Sequence, residues 1–181
     1  MPVRWGTLSL PLVVALLPLA GGCSPSQEKS ASGFLALEVS ASGRPVAGMR
    51  SAVLTVAGVE ARRADGSWVV VDSGRPGALA LKLAEGGRPA ALPPDLLPEG
   101  QYTALTIRID EVEATLGSGG VLKIAPDGAG WVAQVPIDFA VVAGHETLVG
   151  LSVSLDGSFR SAHGELEFEP DVEVRSVRRV R

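Results

Sequence analysis

The sequence predicts an all-β domain, an antiparallel β-sandwich, behind a cleavable leader and a short tether. Three observations predict it. Short runs alternate apolar with polar residues, Gly/Pro/Asp turns recur about every 8 to 14 residues, and no stretch has the 3.6-residue period of an amphipathic helix. A closed barrel is the alternative arrangement of the same strands. No internal repeat is visible.

The leader comes first. Arg4 gives a basic start, residues 8–20 read LSLPLVVALLPLA without a charge, and Gly21, Gly22 and the single cysteine, Cys23, follow. This is a secretory signal layout. A run of about 13 residues is too short to span a bilayer, which takes about 20. The segment resembles the lipobox of bacterial lipoproteins, most often Leu-Ala-Gly-Cys or Leu-Ala-Ala-Cys. Here Ala20 stands at the Leu position, with Leu19 one place earlier. The resemblance implies cleavage between Gly22 and Cys23 and acylation of Cys23 by a diacylglycerol thioether and an amide-linked chain such as palmitate. Several acyl chains, each contributing about 0.8 kcal/mol per buried CH₂, hold a protein far better than one. The plainer alternative is an ordinary signal peptide. The expected organisation is therefore a signal peptide over 1–22, a lipidated Cys23 with a flexible tether over 23–33, one domain over 34–177 and a basic tail over 178–181. The expected location is the cell envelope, and the outer membrane where there are two, because Ser24 rather than Asp follows the cysteine.

The 181-residue chain carries a formal charge of −4, and removing residues 1–22 takes away one base and no acid. What remains is long enough for a single core. The only basic run is RSVRRVR at the end, too short for a nucleic-acid face, so no nucleic-acid partner is expected. With Cys23 acylated, no disulfide can form.

Along the domain, FLALEVS (34–40) puts Leu35, Leu37 and Val39 on one face. SAVLTVAGVEARR is Val-rich and reads as a strand buried on both faces for part of its length. ADG (64–66) is a turn and SWVVVD its return strand. GALALKL (77–83) is a further strand. EGGRPAALPPDLLPEG, with its prolines and glycines, predicts a long loop with one helical turn at 95–97. In QYTALTIRIDEVEATL, Leu105, Ile107 and Ile109 share one parity and Val112, Ala114 and Leu116 the other, which predicts a β-bulge or a break at Asp110–Glu111. GSGG turns into VLKIA, and PDGAG into WVAQVPIDFAVV. LVGLSVSL alternates Val149, Leu151, Val153 and Leu155 with small residues, DGS is a turn, and GELEFEPDVEVRSV closes the domain.

The succession GFLALEVSASGRPVAG, SAVLTVAGVEARRADGSWVVV, LALKL, LPEGQYTALTIRIDEVEA, LVGLSVSLDGSFRSA and ELEFEPDVEV resembles an uncharacterised family of secreted bacterial lipoproteins with a transthyretin- or carbohydrate-binding-like β-sandwich. The resemblance runs from about Phe34 to Val177. Its most specific part is LPEGQYTALTIRI, followed by the ending with Asp156, Phe159, Arg160, Ser161 and Pro170. ASGRPVAG is shorter and less acidic than the family's stretch at that place. The resemblance implies the fold and no catalytic residue.

Candidate chemistry is sparse. His145 and His163 stand in Gly-flanked turns without metal-ligand spacing, and read as exposed loop residues. No Gly-x-Ser-x-Gly elbow is present, and GSGG has no helix behind it to make a phosphate loop. Glu165, Glu167, Glu169, Asp171 and Glu173 would share one strand face, a solvated stripe rather than a calcium site, since calcium draws six to eight oxygens. Asp110, Glu111 and Glu113 add to it or mark the bulge. Trp68 and Trp131 each follow a turn and read as a ligand platform or as caps on the core. Tyr102 is expected to pin a corner by its hydroxyl. The expectation is a non-catalytic binding or structural domain without cofactor or metal. Its partners are membrane lipid through acylated Cys23 and a glycan or envelope protein. The alternatives are a surface carbohydrate-binding module using Trp68 and Trp131, and an envelope hydrolase using paired carboxylates.

Overall fold

The computed structural model describes residues 31–46, 48–71, 79–126, 128–162 and 165–180. The leader, Gly22, Cys23, most of the expected tether, His163 and Arg181 lie outside them. The described residues form β1 (Ser32–Ser42), β2 (Met49–Arg63), β3 (Trp68–Val71), β4 (Leu79–Ala84), β5 (Ala90–Pro98), β6 (Gly100–Leu116), β7 (Val121–Ile124), β8 (Trp131–Val141), β9 (Glu146–Ser154), α1 (Leu155–Ser158), β10 (Phe159–Ala162), β11 (Glu165–Phe168) and β12 (Val172–Val180). One sheet has the order β12-β9-β1-β5, a larger one is built on β2 and β6, and β10 pairs with β11 alone. The chain is nearly all β, and the two large sheets share one apolar core, an arrangement consistent with the expected sandwich. One pair departs from the antiparallel expectation: β1 runs parallel to β9, with Leu37 beside Val149 and Ser40 beside Ser152.

The phase change in β6 is a bulge. Leu105, Ile107 and Ile109 are buried before it, Val112 and Ala114 after it. The facing strand changes phase at the same level: β2 buries Ala52, Leu54 and Val56, then Val59 and Ala61. Thr55 faces Glu111, Val56 faces Ile109 and Gly58 faces Arg108, so Asp110 and Ala57 are the extra residues. Two matched bulges keep both strands on the same side of the core. The expectation that β2 is buried on both faces for part of its length is met only at Ser51 and Ala52. Val53 and Thr55 are half-buried and Ala57 is exposed. The Val-rich run arises because two apolar parities meet at the bulge.

The outer places of this sheet are shared. β4 pairs with Ser51–Val56 and β3 with Val59–Arg62 on one side of β2. On the far side of β6, β7 takes Val112–Thr115 and β8 takes Gly100–Ile109. The β2–β3 turn forms as the sequence predicts. Gly66, at φ 90°, donates to the Arg63 carbonyl at 2.9 Å, and Asp65 accepts from the Ser67 amide and hydroxyl. Those bonds hold the Asp65 carboxyl below its usual range.

The Pro-rich segment is a strand, not a loop with a helical turn. β5 pairs antiparallel with β1 at the edge of its sheet. Leu35 faces Asp95 and Leu37 faces Leu92, which leaves Pro93 and Pro94 opposite Ala36 alone. An edge position and a bulge are both places where a residue without an N–H fits a sheet. DGS is likewise not a plain turn. It lies in the single helical turn α1, where the Gly157 amide donates to the Ser154 hydroxyl at 3.0 Å. Leu155 is buried but belongs to this turn rather than to β9.

The domain is wider than 34–177. Ser32 and Gly33 pair with Pro98 and Leu97, and residues 178–180 of the expected tail pair with Leu148, Thr147 and Glu146. Tyr102 is 1% exposed, donates its hydroxyl to the Pro98 carbonyl at 2.7 Å and stacks on Phe139 at 5.1 Å. It pins the corner between β5 and β6, as expected.

Ile107 lies in the shared core at 6% exposure. Its replacement by Asp removes a buried side chain and introduces a desolvated carboxylate, a loss of about 3–5 kcal/mol. Thermal unfolding of Ile107→Asp is expected to show a melting temperature lower by about 10 °C or more. A midpoint near wild type would place Ile107 on the wrong face.

Candidate functional site

Trp68 and Trp131 do not form a common platform. Trp68 opens β3 opposite Arg62, on the face turned away from the core. It is 43% exposed, with the Arg62 guanidinium 5.9 Å from its ring centre. Trp131 opens β8 opposite Ile109, faces the core and is half-buried against it. Three strand spacings and about five residues separate them, roughly 14 Å across and 17 Å along the sheet, and they face opposite ways. Trp131 therefore caps the core, one of the two readings of the sequence, and it also takes part in a surface pocket that suits the other.

It forms one wall of a pocket of about 310 Å³ with Arg160, Glu167, Phe168 and Glu169. The β10–β11 hairpin builds the rest. Its pairing sets Phe159 against Phe168 and Arg160 against Glu167. Strand alternation turns both phenylalanines inward, where they are 1% and 6% exposed, and the charged residues outward. Phe168 meets the Trp131 ring edge-on at 5.0 Å and Phe159 at 5.0 Å. Arg160 lies 3.5 Å from Glu169. Both are well exposed, so this pair contributes at most about 1 kcal/mol. The result is an aromatic floor under a rim of one guanidinium and two carboxylates. Such a surface can stack an apolar ring face and hydrogen-bond to hydroxyls around it.

The acidic stripe is not one strand. Glu165 and Glu167 belong to β11, Glu169 and Asp171 to the link, and Glu173 to β12 in another sheet. All five remain exposed. Pro170, which has no N–H to pair, falls in the break. The link is tied to α1: the Glu169 amide donates to the Ser158 carbonyl, the Asp171 amide to the Ser158 hydroxyl, and the Ser154 amide to the Asp171 carbonyl. Glu111 and Glu113 do not join the stripe. Both accept from Lys123, at 2.9 and 2.8 Å, and these bonds raise the lysine's pKa. Asp110 marks the bulge. Among the described residues no group of three or more His, Cys, Asp or Glu side chains converges on one point. His145 is exposed, with Nδ1 2.9 Å from the Ala143 carbonyl.

A second polar cluster lies on the outer face of the β12-β9-β1-β5 sheet. Glu38, Ser40, Gly150, Arg175 and Ser176 line a shallow pocket of about 290 Å³. Arg178 lies 3.7 Å from Glu38, and Arg175 donates to the Ser40 hydroxyl at 3.4 Å. Ser152, beside Ser40 and 3% exposed, has a hydroxyl without a partner. The sequence marks these as polar alternates of three separate strands. Only the parallel β1–β9 register brings them together.

Titration of the mature chain with Ca²⁺ is expected to show no saturable binding at millimolar concentration, because the five acids are divided between two sheets and a link. Saturable heat lost in the Glu167→Gln, Glu169→Gln double variant would overturn this. Compared with protein-family models, curated proteins and solved structures, the chain matches none of them.

Proposed function

We propose that this is a lipid-anchored protein of the cell envelope whose domain, a transthyretin- or immunoglobulin-like sandwich, has a non-catalytic binding or structural role. The observation that carries this reading is the placement of the single cysteine. Cys23 follows an apolar run and two glycines, and β1 begins nine residues beyond it, at Ser32. Nine residues span at most about 30 Å, so acylation at Cys23 would hold the domain close to the bilayer. The resemblance to secreted lipoproteins supports the same reading.

The Trp131 pocket favours a second reading, a carbohydrate-binding module. An aromatic floor with Arg160, Glu167 and Glu169 around it suits the apolar face and hydroxyls of a sugar ring. Trp68 would contribute nothing to that pocket. The hydrolase alternative needs two carboxylates held toward one bond, whereas Glu169 lies beside Arg160 in solvent.

Fractionation of cells expressing Cys23→Ser is expected to show loss of palmitate labelling and release from the membrane fraction. A variant that stays membrane-bound and is cut at the same site would overturn the anchor. On a glycan array, any sugar signal is expected to vanish in Trp131→Ala and persist in Trp68→Ala. The reverse pattern would remove the pocket from the account.

A further inference from the structure

We infer that the end of the domain from which the Cys23 tether leaves is a docking surface for the lipid bilayer, an inference that rests on the anchored reading above. The chain enters the fold at this end between two other segments. The Glu99 amide donates to the Ala31 carbonyl, the Gly144 amide to the Ser32 carbonyl, and the Phe34 amide to the His145 carbonyl, at 2.7 to 2.9 Å. Gly33 lies so close to the Val142 carbonyl that a Cβ would collide with it. The entry point is therefore rigidly placed.

One row of residues crosses the sheet just inside it. Leu96 pairs with Phe34, Phe34 with Glu146, and Glu146 with Val180. The core side chains of β1 are Leu35, Leu37 and Val39, so this row faces away from the core. Leu96 is 57%, Phe34 41% and Val180 39% exposed. The next row on the same face holds Ala36, half-buried Leu148 and Arg178. Exposed Arg179 stands at the same end, on the edge strand β12, where alternation puts it on the other face from Val180.

Apolar side chains gathered at one end with arginines beside them match the boundary between acyl chains and anionic headgroups. Glu146 lies within the row, and Glu38, further along the face, lies beside Arg178. Apolar contact is therefore the main attraction, with Arg179 at the edge of the sheet. The length of chain commits the occupant. Cys23 lies at most about 30 Å from Ser32, so an acylated cysteine keeps this end within reach of the membrane and makes the bilayer the occupant this surface meets.

The test uses the mature chain purified from membranes and reconstituted in phosphatidylcholine/phosphatidylglycerol vesicles containing doxyl-labelled lipid. A fluorophore is attached at Leu96→Cys, or at Ser118→Cys in the exposed turn after β6, about 50 Å further along that strand. Quenching at residue 96 is expected to be about fivefold or more stronger than at residue 118. It is expected to fall to the residue-118 level when Phe34→Asp or Val180→Asp is added, each variant first shown to keep the parent circular dichroism. Equal quenching at the two positions overturns the docking surface. Quenching at residue 96 that survives both Asp variants overturns it too, since the tether alone would then hold this end near the lipid. A mass spectrum showing Cys23 without acyl groups overturns the anchored reading and the docking together.

Discussion

β2 and β6 lie against each other for most of their length, and both change the side that faces the core at the same level. If only β6 carried an extra residue, every side chain of β2 beyond that point would point to the wrong side of the sheet. The extra residues Ala57 and Asp110 cancel. A 15-residue and a 17-residue strand can then line one continuous core. The rest of the larger sheet follows from this pairing. Each half of β2 and of β6 has its own outer partner, so β3, β4 and β7 can be short and β8 need cover only one half of β6.

The second sheet is joined to the first at corners, and each corner is closed by a specific bond. Tyr102 ties the β5–β6 connection through the Pro98 carbonyl. Thr147 ties β9 back to β8 by donating to the Ala140 carbonyl at 2.8 Å. The backbone bonds around Ala31, Ser32 and Phe34 close the end where the chain enters. These bonds each contribute about 1 kcal/mol net. Their larger effect is geometric, because they decide which strand ends meet. One result is that the start of the first strand and the end of the last lie at the same level, one on each side of β9.

Charge plays a smaller part in stability. The ion pairs among the described residues join side chains that are about a third or more exposed on at least one partner, and such pairs contribute little. They matter as surface chemistry. The Arg160 rim stands over buried aromatics, and the Arg178–Glu38 pair stands beside small serines. In both places a strand's inward residues belong to the core while its outward residues are free to meet something else.

The sequence by itself determined the all-β class, most of the strands and turns, the bulge in β6, the Tyr102 corner and the inward residues of β1 and β9. All of these depend on alternation or on the conformational limits of Gly, Pro and Asp, which are local properties. Tertiary structure decided what local pattern cannot carry. Pro93 and Pro94 look like loop residues until β1 supplies an edge and a bulge to hold them. The five acids look like one stripe until Pro170 and the Ser158 bonds turn the chain from one sheet to another. Trp68 and Trp131 look equivalent until strand pairing sends them to opposite faces. Phe34 and Leu96 are 62 residues apart in the sequence and Leu96 and Val180 are 84 apart, and they fall in one row only because β1 pairs with β5 and with β9, and β9 with β12.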